Sequence, residues 1–139
     1  MPPANVIADA GETHSGVVKA LEKQSIEIEI KTLELCDFVI NGGITFERVT
    51  LDDLFKSIFE DRKLFSRIKE LANKCERPVL IIEGEDLFFS GRTVNPGSIQ
   101  GFLVKIAVFF RVPAVFTLNE TETAEVIASI ARARQSDDI

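Results

Sequence analysis

An uninterrupted run of four apolar residues places the strongest constraint on the fold of this chain. The run, residues 79–82 (VLII), follows Arg77-Pro78 and ends at Glu83-Gly84. Because apolar and polar side chains do not alternate here, both faces of the predicted strand must be covered. Such a strand lies in the centre of a sheet that has helices on either side. The run therefore predicts an α/β fold.

Strand-like segments alternate with helical periods along the rest of the chain. Strands are predicted over residues 5–10, 25–31, 37–40, 45–49, 79–82 and 114–118, and helices over residues 14–23, 51–60, 64–74, 96–110 and 120–134. This order predicts a central mixed β-sheet flanked by helices on both faces. The 139 residues are expected to form a single domain, residues 1–139, with a core over about 5–134.

Three local patterns add detail to this fold. Residues 25–31 (SIEIEIK) alternate strictly, so the three isoleucines are expected to share the buried face of a strand. Residues 41–43 (NGG) separate two strands, and both glycines suit the positive φ of a tight hairpin turn. Residues 85–96 contain breakers and are predicted to form a loop.

The charge balance limits how this chain could bind nucleic acid. It has 16 Lys and Arg residues against 22 Asp and Glu residues, for a net charge of -6. A free-standing nucleic-acid binder usually carries a basic surface that neutralises phosphates. DNA binding would therefore need a local basic patch, a divalent metal over the acids, or a partner that supplies basic residues.

Membrane insertion and secretion are not expected. No apolar run approaches the ~20 residues needed to span a bilayer. Residues 1–12 (MPPANVIADAGE) lack the basic region and apolar core of a signal peptide. The two cysteines, Cys36 and Cys75, are interpreted as reduced thiols. These features predict an intracellular protein without a membrane partner.

Five acidic residues are predicted to gather at one edge of the sheet. They lie at the ends of predicted strands or at the start of a helix: Asp9, Glu12, Asp37, Glu47 and Asp53. Carboxylate oxygens are the ligands that Mg²⁺ prefers. A metal held there could polarise a phosphodiester and generate hydroxide. Acids are common in this chain, so the spacing alone leaves a chance grouping open.

Four segments around these acids follow one another in the order of a known protein family. Residues 6–12 (VIADAGE) resemble its opening strand V-x-V-D-x-R-E, and residues 33–40 (LELCDFVI) resemble L-x-x-G-D-Y-x-I. Residues 46–54 (FERVTLDDL) resemble the motif ERKxxxDL, and residues 79–84 (VLIIEG) resemble an apolar strand that ends in Glu-Gly. Together they resemble the XPF/Hef family of structure-specific DNA endonucleases. The resemblance spans residues 5–134 and implies a restriction-endonuclease-like fold.

The resemblance implies roles for the five acids. In that family the residues that match Asp9, Asp37 and Glu47 form the metal site. The residues that match Glu12 and Asp53 lie beside it. The implied cofactor is Mg²⁺ or Mn²⁺, or none if the site is inactive.

Two positively charged residues of the family pattern are missing here. The catalytic lysine is replaced by Val49, and the arginine of the first motif is replaced by Gly11. Arg48, which helps hold the site and the scissile phosphate in the family, remains. Losing one preorganised charge typically costs ~10²–10³ in rate, so the resemblance implies a catalytically inactive or strongly weakened domain.

A small basic cluster on the third predicted helix is a candidate for DNA contact. It consists of Arg62, Lys63 and Arg67. In the family this stretch resembles a region beside the DNA path, and lysine and arginine bind phosphate oxygens. A solvated helix face is the alternative interpretation.

The helix over residues 96–110 has more apolar residues than one buried face needs. Leu103, Phe109 and Phe110 cannot all point the same way, and an excess of this kind often marks a partner interface. The family dimerises through the last part of this domain. We therefore expect a homodimer, or a heterodimer with another nuclease-family, replication or repair protein.

Three functions remain open at this point. The first is a non-catalytic, dimerising component of DNA repair or replication-fork processing that acts on branched or flap DNA. The second is an active metal-dependent endonuclease that cleaves flap or fork DNA with a relocated cation. The third is an interaction module without DNA contact.

Overall fold

The computed structural model describes residues 4–41, 43–85 and 96–136. The strands β1 to β6 are Asn5–Asp9, Glu27–Lys31, Phe38–Ile40, Ile44–Thr50, Arg77–Glu83 and Ala114–Thr117, and the helices α1 to α5 are Gly16–Lys23, Leu51–Lys56, Lys63–Lys74, Pro96–Phe109 and Glu120–Ser136. The predicted order of elements is confirmed. Most of the predicted loop over residues 85–96 lies outside the described residues. No helix in the described ranges has the length and apolarity to cross a bilayer.

Two short turns complete the chain path. The 3₁₀ turn Ala10–Glu12 follows β1, and the π-helical turn Ser57–Asp61 joins α2 to α3. Gly43 has φ +83° in the hairpin between β3 and β4, which is the conformation that the sequence predicts for it. Gly42 lies outside the described residues.

The six strands form one mixed sheet in the order β2-β1-β3-β4-β5-β6. β1 and β4 each pair antiparallel with β3, and β5 pairs parallel with β4 and β6. The carboxyl ends of β1, β4 and β5 therefore meet the start of β3 at one edge of the sheet. We call this edge, where Asp9, Asp37, Glu47, Arg48 and Glu83 are located, the acidic edge.

Helices cover both faces of the sheet, as the sequence predicts. One core cluster joins α1 and α5 to a face that includes Phe38, Phe46 and Ile81. The other joins α2, α3 and α4 to the opposite face, which includes Leu80 and Ile82. Because neighbouring residues of β5 are fully buried on opposite faces, its apolar run has the central position that its composition demands.

The same alternation governs β4. Phe46 belongs to the α1/α5 core and Val49 to the α2–α4 core. Since side chains alternate along a strand, Glu47 shares the face of Val49, and Arg48 shares the face of Phe46. Glu47 and Arg48, which are consecutive in the sequence, therefore lie on opposite faces of the sheet.

Strand β2 departs from the predicted burial pattern. It begins at Glu27, because Ser25 adopts the left-handed conformation with φ 63°. Ile26 is buried, but burial falls along the strand and Ile30 is 43% exposed. β2 is an edge strand, so alternation alone does not guarantee that each apolar residue is covered.

Candidate functional site

Asp37 joins three strands of the acidic edge. Its Oδ2 accepts a hydrogen bond from the backbone N of Arg48 at 2.7 Å. Its backbone carbonyl accepts one from the amide of Asp9 at 2.8 Å. Its negative charge also acts on the carboxyl group of Glu47 and raises the pKa of Glu47. The structure thus brings the three predicted metal ligands to one place on the sheet.

The carboxylate of Asp9 is occupied by backbone donors. Oδ1 accepts from the amide of Leu33 at 2.7 Å, and Oδ2 accepts from the amide of Gly11 at 3.0 Å. These hydrogen bonds lower the pKa of Asp9 because they stabilise its ionised form. A Cβ at Gly11 would lie 2.9 Å from Oδ2, so an arginine at this position would require the Asp9 side chain to move.

Glu47 is the most buried acid of this group. Only 5% of its side chain is exposed, and Arg67 of α3 donates from Nε to its Oε2 at 2.5 Å. Burial, and then the hydrogen bond and negative charge of Asp37, raise the pKa of Glu47 to about 9. Arg67 supplies the positive charge that faces Glu47.

The protonation of Arg67 is stabilised by the same contact. Burial alone would lower the pKa of Arg67, but the charge of Glu47 and its hydrogen bond raise it. Arg67 also acts electrostatically on Asp37 and Asp9. One guanidinium from α3 therefore faces all three predicted metal ligands.

Arg48 is held in a separate network on the opposite face. Its Nε and Nη2 donate to the two carboxylate oxygens of Glu83 at 2.9 and 2.7 Å. Nη1 lies 3.2 Å from Glu12 Oε2, and Nη2 lies 3.3 Å from Glu120 Oε2. Thr123 donates to Glu83 Oε1 at 2.7 Å. Arg48 thus links β4 to β5, to the turn after β1 and to α5.

The charges of this network support one another. The hydrogen bond to Glu83 raises the pKa of Arg48. Burial opposes ionisation of Glu83, but the hydrogen bonds from Arg48 and Thr123 outweigh it and lower the pKa of this carboxyl. Burial dominates at Glu12 and raises its pKa despite the charge of Arg48. The bidentate pair of Arg48 and Glu83 is therefore the firmly ionised part of the network.

The structure divides the five predicted acids into separate environments. Asp9, Asp37 and Glu47 share one face, whereas Glu12 pairs with Arg48 on the other. Asp53 is exposed on the first turn of α2, where its amide donates to the capping hydroxyl of Thr50 at 3.1 Å. The period of a strand puts Glu47 and Arg48 on opposite faces, and Glu12 lies on the side of Arg48. Asp53 is separate because it belongs to a helix.

These contacts determine whether the three predicted metal ligands can hold a divalent ion. Among the described residues, no three His, Cys, Asp or Glu side chains are arranged to hold a metal ion. Asp9 is engaged by two amides, and Arg67 lies against Glu47. As these side chains lie, they do not fit a divalent cation, and the Mg²⁺ or Mn²⁺ site remains a prediction.

The predicted DNA-contact residues also separate. Arg62 and Lys63 are exposed, whereas Arg67 turns toward Glu47. The guanidinium of Arg62 lies 5.0 Å from the ring centroid of Phe65. Arg62 also borders a cavity of about 320 Å³ that it shares with Lys105 of α4. Lys105 was not among the predicted DNA-contact residues, because a single lysine in an apolar helix forms no recognisable sequence pattern.

The predicted interface residues of α4 differ in exposure. Phe109 is 75% exposed. Leu103 and Phe110 are half-buried against the α2–α4 core, and Phe110 makes an edge contact with Phe65 at 5.4 Å. The helix thus presents Phe109 outward and turns the other two inward, and the interface itself stays a prediction.

Three partners of Arg48 were missed as functional residues at the sequence level. They are Glu83, Glu120 and Thr123. Glu83 follows directly after the apolar run of β5. A single acid at the end of a buried strand was the sequence signal that could have identified it. Glu120 and Thr123 gave no comparable signal, because only the packing of α5 brings them to the acidic edge.

Comparisons with known proteins agree with this geometry. The profile of the ERCC4 domain matches residues 8–130. A protein from Methanocaldococcus jannaschii, named putative ATP-dependent RNA helicase MJ1505, is 37% identical over 133 residues, which cover 96% of this chain and 16% of that protein. The 3'-flap repair endonuclease Xpf of Saccharolobus solfataricus is 28% identical over 130 residues, which cover 94% of this chain and 55% of that protein.

Solved structures show the same relationship. XPF from Aeropyrum pernix, in complex with DNA, has a TM-score of 0.85 and 28% identity, over 96% of this chain and 66% of that one. The same protein, from a second structure, has a TM-score of 0.84. The restriction-endonuclease-like fold that the sequence predicts is confirmed.

This chain belongs to the ERCC4 domain family, the nuclease domains of XPF and Hef. It is a nuclease-type domain related to DNA repair endonucleases. It spans only 16% and 55% of the two relatives named above, so their names describe longer proteins.

We expect Glu47→Gln to flatten the pH dependence of stability. The pKa of Glu47 rises from its ordinary 4.5 to about 9 on folding, so below pH 4.5 the carboxyl is protonated in both states. Above it, the unfolded chain loses the proton and the folded domain keeps it, so the free energy of unfolding falls as the pH rises toward about 9. Urea unfolding at pH 5, 7 and about 9 should show this loss in the wild type and not in the variant.

The control for this measurement is Glu34→Gln, which removes the same charge from an exposed position. Its pH profile should run parallel to that of the wild type. A Glu47→Gln profile that also runs parallel to the wild type would contradict the raised pKa.

We expect Arg48→Met to destabilise the domain by about 3 kcal/mol or more, since it leaves buried carboxylates without their cation. Lys74→Met, which breaks the exposed pair with Glu70, is the control and should cost within about 1 kcal/mol. Adding Glu83→Gln to Arg48→Met should cost less than the sum of the single changes. Strictly additive effects in urea unfolding would argue against the network.

Proposed function

We propose that this chain is a nuclease-fold domain without catalytic activity that dimerises and takes part in processing branched DNA. One observation carries the proposal. Val49, which stands at the position of the catalytic lysine, is only 9% exposed and packs in the α2–α4 core. The apolar side chain of Val49 lies on the same face of β4 as Glu47. Charge stabilisation at phosphate requires a preorganised cation, and valine supplies none.

The remaining arginines of the acidic edge support the proposal. Arg48 is bound by Glu83, Glu12 and Glu120, and Arg67 is bound to Glu47. A guanidinium that is already neutralised by carboxylates has little charge left for a phosphate. The acidic edge therefore presents mainly negative charge to an approaching nucleic acid.

Branched DNA is proposed as the partner on two grounds. The Saccharolobus relative is named a 3'-flap repair endonuclease, and the Aeropyrum XPF was solved with DNA. This chain offers the exposed cations Arg62 and Lys63 at the beginning of α3, and Arg62 borders the same cavity as the exposed Lys105 of α4. A local patch of this kind could contact phosphates despite the net charge of -6.

The exposed apolar surface of α4 and β6 supports dimerisation. Val104, Val108 and Phe109 of α4 are 59%, 64% and 75% exposed. Phe116 and Leu118, in and just after the edge strand β6, are exposed too. Grouped apolar residues at a sheet edge favour an interface with a second copy or a related domain.

One observation favours the alternative of an active metal-dependent endonuclease. Arg67 brings a positive charge from α3 to Glu47, where Val49 supplies none. In this alternative Arg67 would be the relocated cation that stabilises charge on phosphate, with the metal held by Asp9, Asp37 and Glu47.

Cleavage assays separate these functions. With fork and 3'-flap DNA in the presence of Mg²⁺ or Mn²⁺, we expect the wild type to bind the DNA without cutting it. Charge reversal at Arg62 and Lys63 should weaken this binding, and the same change at the exposed Lys19 and Lys23 is the control. Cleavage that disappears in Asp37→Asn, which keeps an acceptor for the Arg48 amide, would refute the proposal and establish the endonuclease. If the wild type binds no DNA, the remaining function is that of an interaction module without DNA contact.

The dimer is tested by placing a charge in the proposed interface. We expect Phe109→Glu to convert a wild-type dimer into a monomer, because a carboxylate cannot be buried there without a partner. Phe59→Glu removes an exposed phenylalanine from the π-helical turn and should leave the dimer intact. Light scattering after size exclusion measures both. A monomeric wild type, or equal effects of the two changes, would contradict the interface.

A further inference from the structure

The acidic edge contains a buried carboxyl group, that of Glu47, whose charge must be compensated in the folded domain. Glu47 is almost completely buried, and it lies on the same face of the sheet as Asp9 and Asp37. Uncompensated carboxylates in such a position are costly, because burial removes the water that would solvate them. In a nuclease site a lysine and a divalent metal would face this charge, and here β4 offers Val49.

Helix α3 supplies the compensating charge from outside. Leu64 and Ile68 anchor the helix in the α2–α4 core, and Leu71 is buried as well. Arg67 precedes Ile68, and half of its side chain is exposed while its Nε reaches Glu47. The arginine therefore extends from the surface inward and is held there by a charge-assisted hydrogen bond.

Four carboxylate oxygens of the three predicted metal ligands are already hydrogen-bonded within the chain. Both oxygens of Asp9 accept amide hydrogen bonds, and Oδ2 of Asp37 accepts from the amide of Arg48. Oε2 of Glu47 accepts from Arg67. A divalent ion would need to displace the guanidinium, which lies close enough to act electrostatically on Asp37 and Asp9 as well.

We infer that Arg67 is a built-in counter-ion that takes the place of a divalent metal beside Glu47, so that the folded domain is complete without a metal. This inference rests on the proposed non-catalytic function and supplies its structural cause. Arg67 is thereby a positioning residue: it fixes Glu47 and neutralises the site. It is not free to reach a phosphate of DNA.

The inference predicts that removing the charge of Arg67 opens a metal site. We expect Arg67→Gln to bind Mn²⁺ at least roughly tenfold more tightly than the wild type, with Mn²⁺ binding followed by electron paramagnetic resonance of the free ion. The melting temperature of this variant should rise on addition of Mn²⁺, because a ligand that binds only the folded state stabilises it. The wild type should show neither effect.

Three further proteins make the comparison specific. Arg62→Gln removes an equal charge nearby and should behave as the wild type does. Arg67→Lys keeps the charge and should keep Mn²⁺ out. Arg67→Gln combined with Asp37→Asn should lose the Mn²⁺ affinity that Arg67→Gln gains, because it removes a charged ligand of the opened site.

Several outcomes would overturn the assignment. One is a wild type that binds Mn²⁺ as tightly as Arg67→Gln, and another is a folded Arg67→Gln that binds no Mn²⁺. If Arg67→Gln does not fold alone, refolding with and without Mn²⁺ replaces the titration. Recovery only with Mn²⁺ supports the assignment, and failure in both conditions refutes it.

The failure of this inference can be told apart from the failure of the proposed function. Mn²⁺ bound by a wild type that cuts no DNA overturns the assignment of Arg67 alone. Cleavage of fork DNA by the wild type overturns the proposed function, and loss of that cleavage in Arg67→Gln would make Arg67 the relocated catalytic cation.

Discussion

The alternation of side chains along β4 is the constraint on which the organisation of the acidic edge depends. Glu47 and Arg48 are neighbours in the sequence, but the period of a strand directs them to opposite faces of the sheet. Glu47 meets α3 and Arg67, and Arg48 meets Glu83, Glu12 and α5. Two ion clusters therefore form on opposite faces of the sheet, and each contains one arginine.

The Arg48 cluster has a structural consequence that extends beyond the edge. It binds the turn after β1, the ends of β4 and β5, and the start of α5 to one guanidinium. Removing such a charge pair from water is expensive, and the bidentate geometry with Glu83 is what offsets that cost. The α1/α5 layer is thereby positioned by polar contacts at its edge as well as by its apolar core.

The Arg67 cluster explains how a nuclease-type site can persist without its lysine. Substituting valine on β4 removes a cation but leaves the buried acids, and these acids still need a counter-charge. A neighbouring helix supplies it through Arg67. The fold tolerates such an exchange because it depends on two large apolar cores, whereas activity in a nuclease-type site depends on a few preorganised groups.

Sequence patterns alone predict the elements of this protein and their order. Apolar runs and periods fix which segments are strands or helices, and the run in β5 required two covered faces, which Leu80, Ile81 and Ile82 provide. The sequence also predicts that Asp9, Asp37 and Glu47 lie close together, because acids at the ends of neighbouring strands can converge at one edge of the sheet. It could not foresee the exposure of Ile30, since edge position is a property of the whole sheet.

The pairing of charges at the acidic edge depends on how the folded chain packs. Arg67 and Glu47 are 20 residues apart, and Arg48 and Glu83 are 35 apart. No local pattern encodes such pairs, because they depend on how helices pack on a particular face of the sheet. Ion pairing acts over a few ångströms and between specific atoms, so it is settled only after the packing of the core has set those distances.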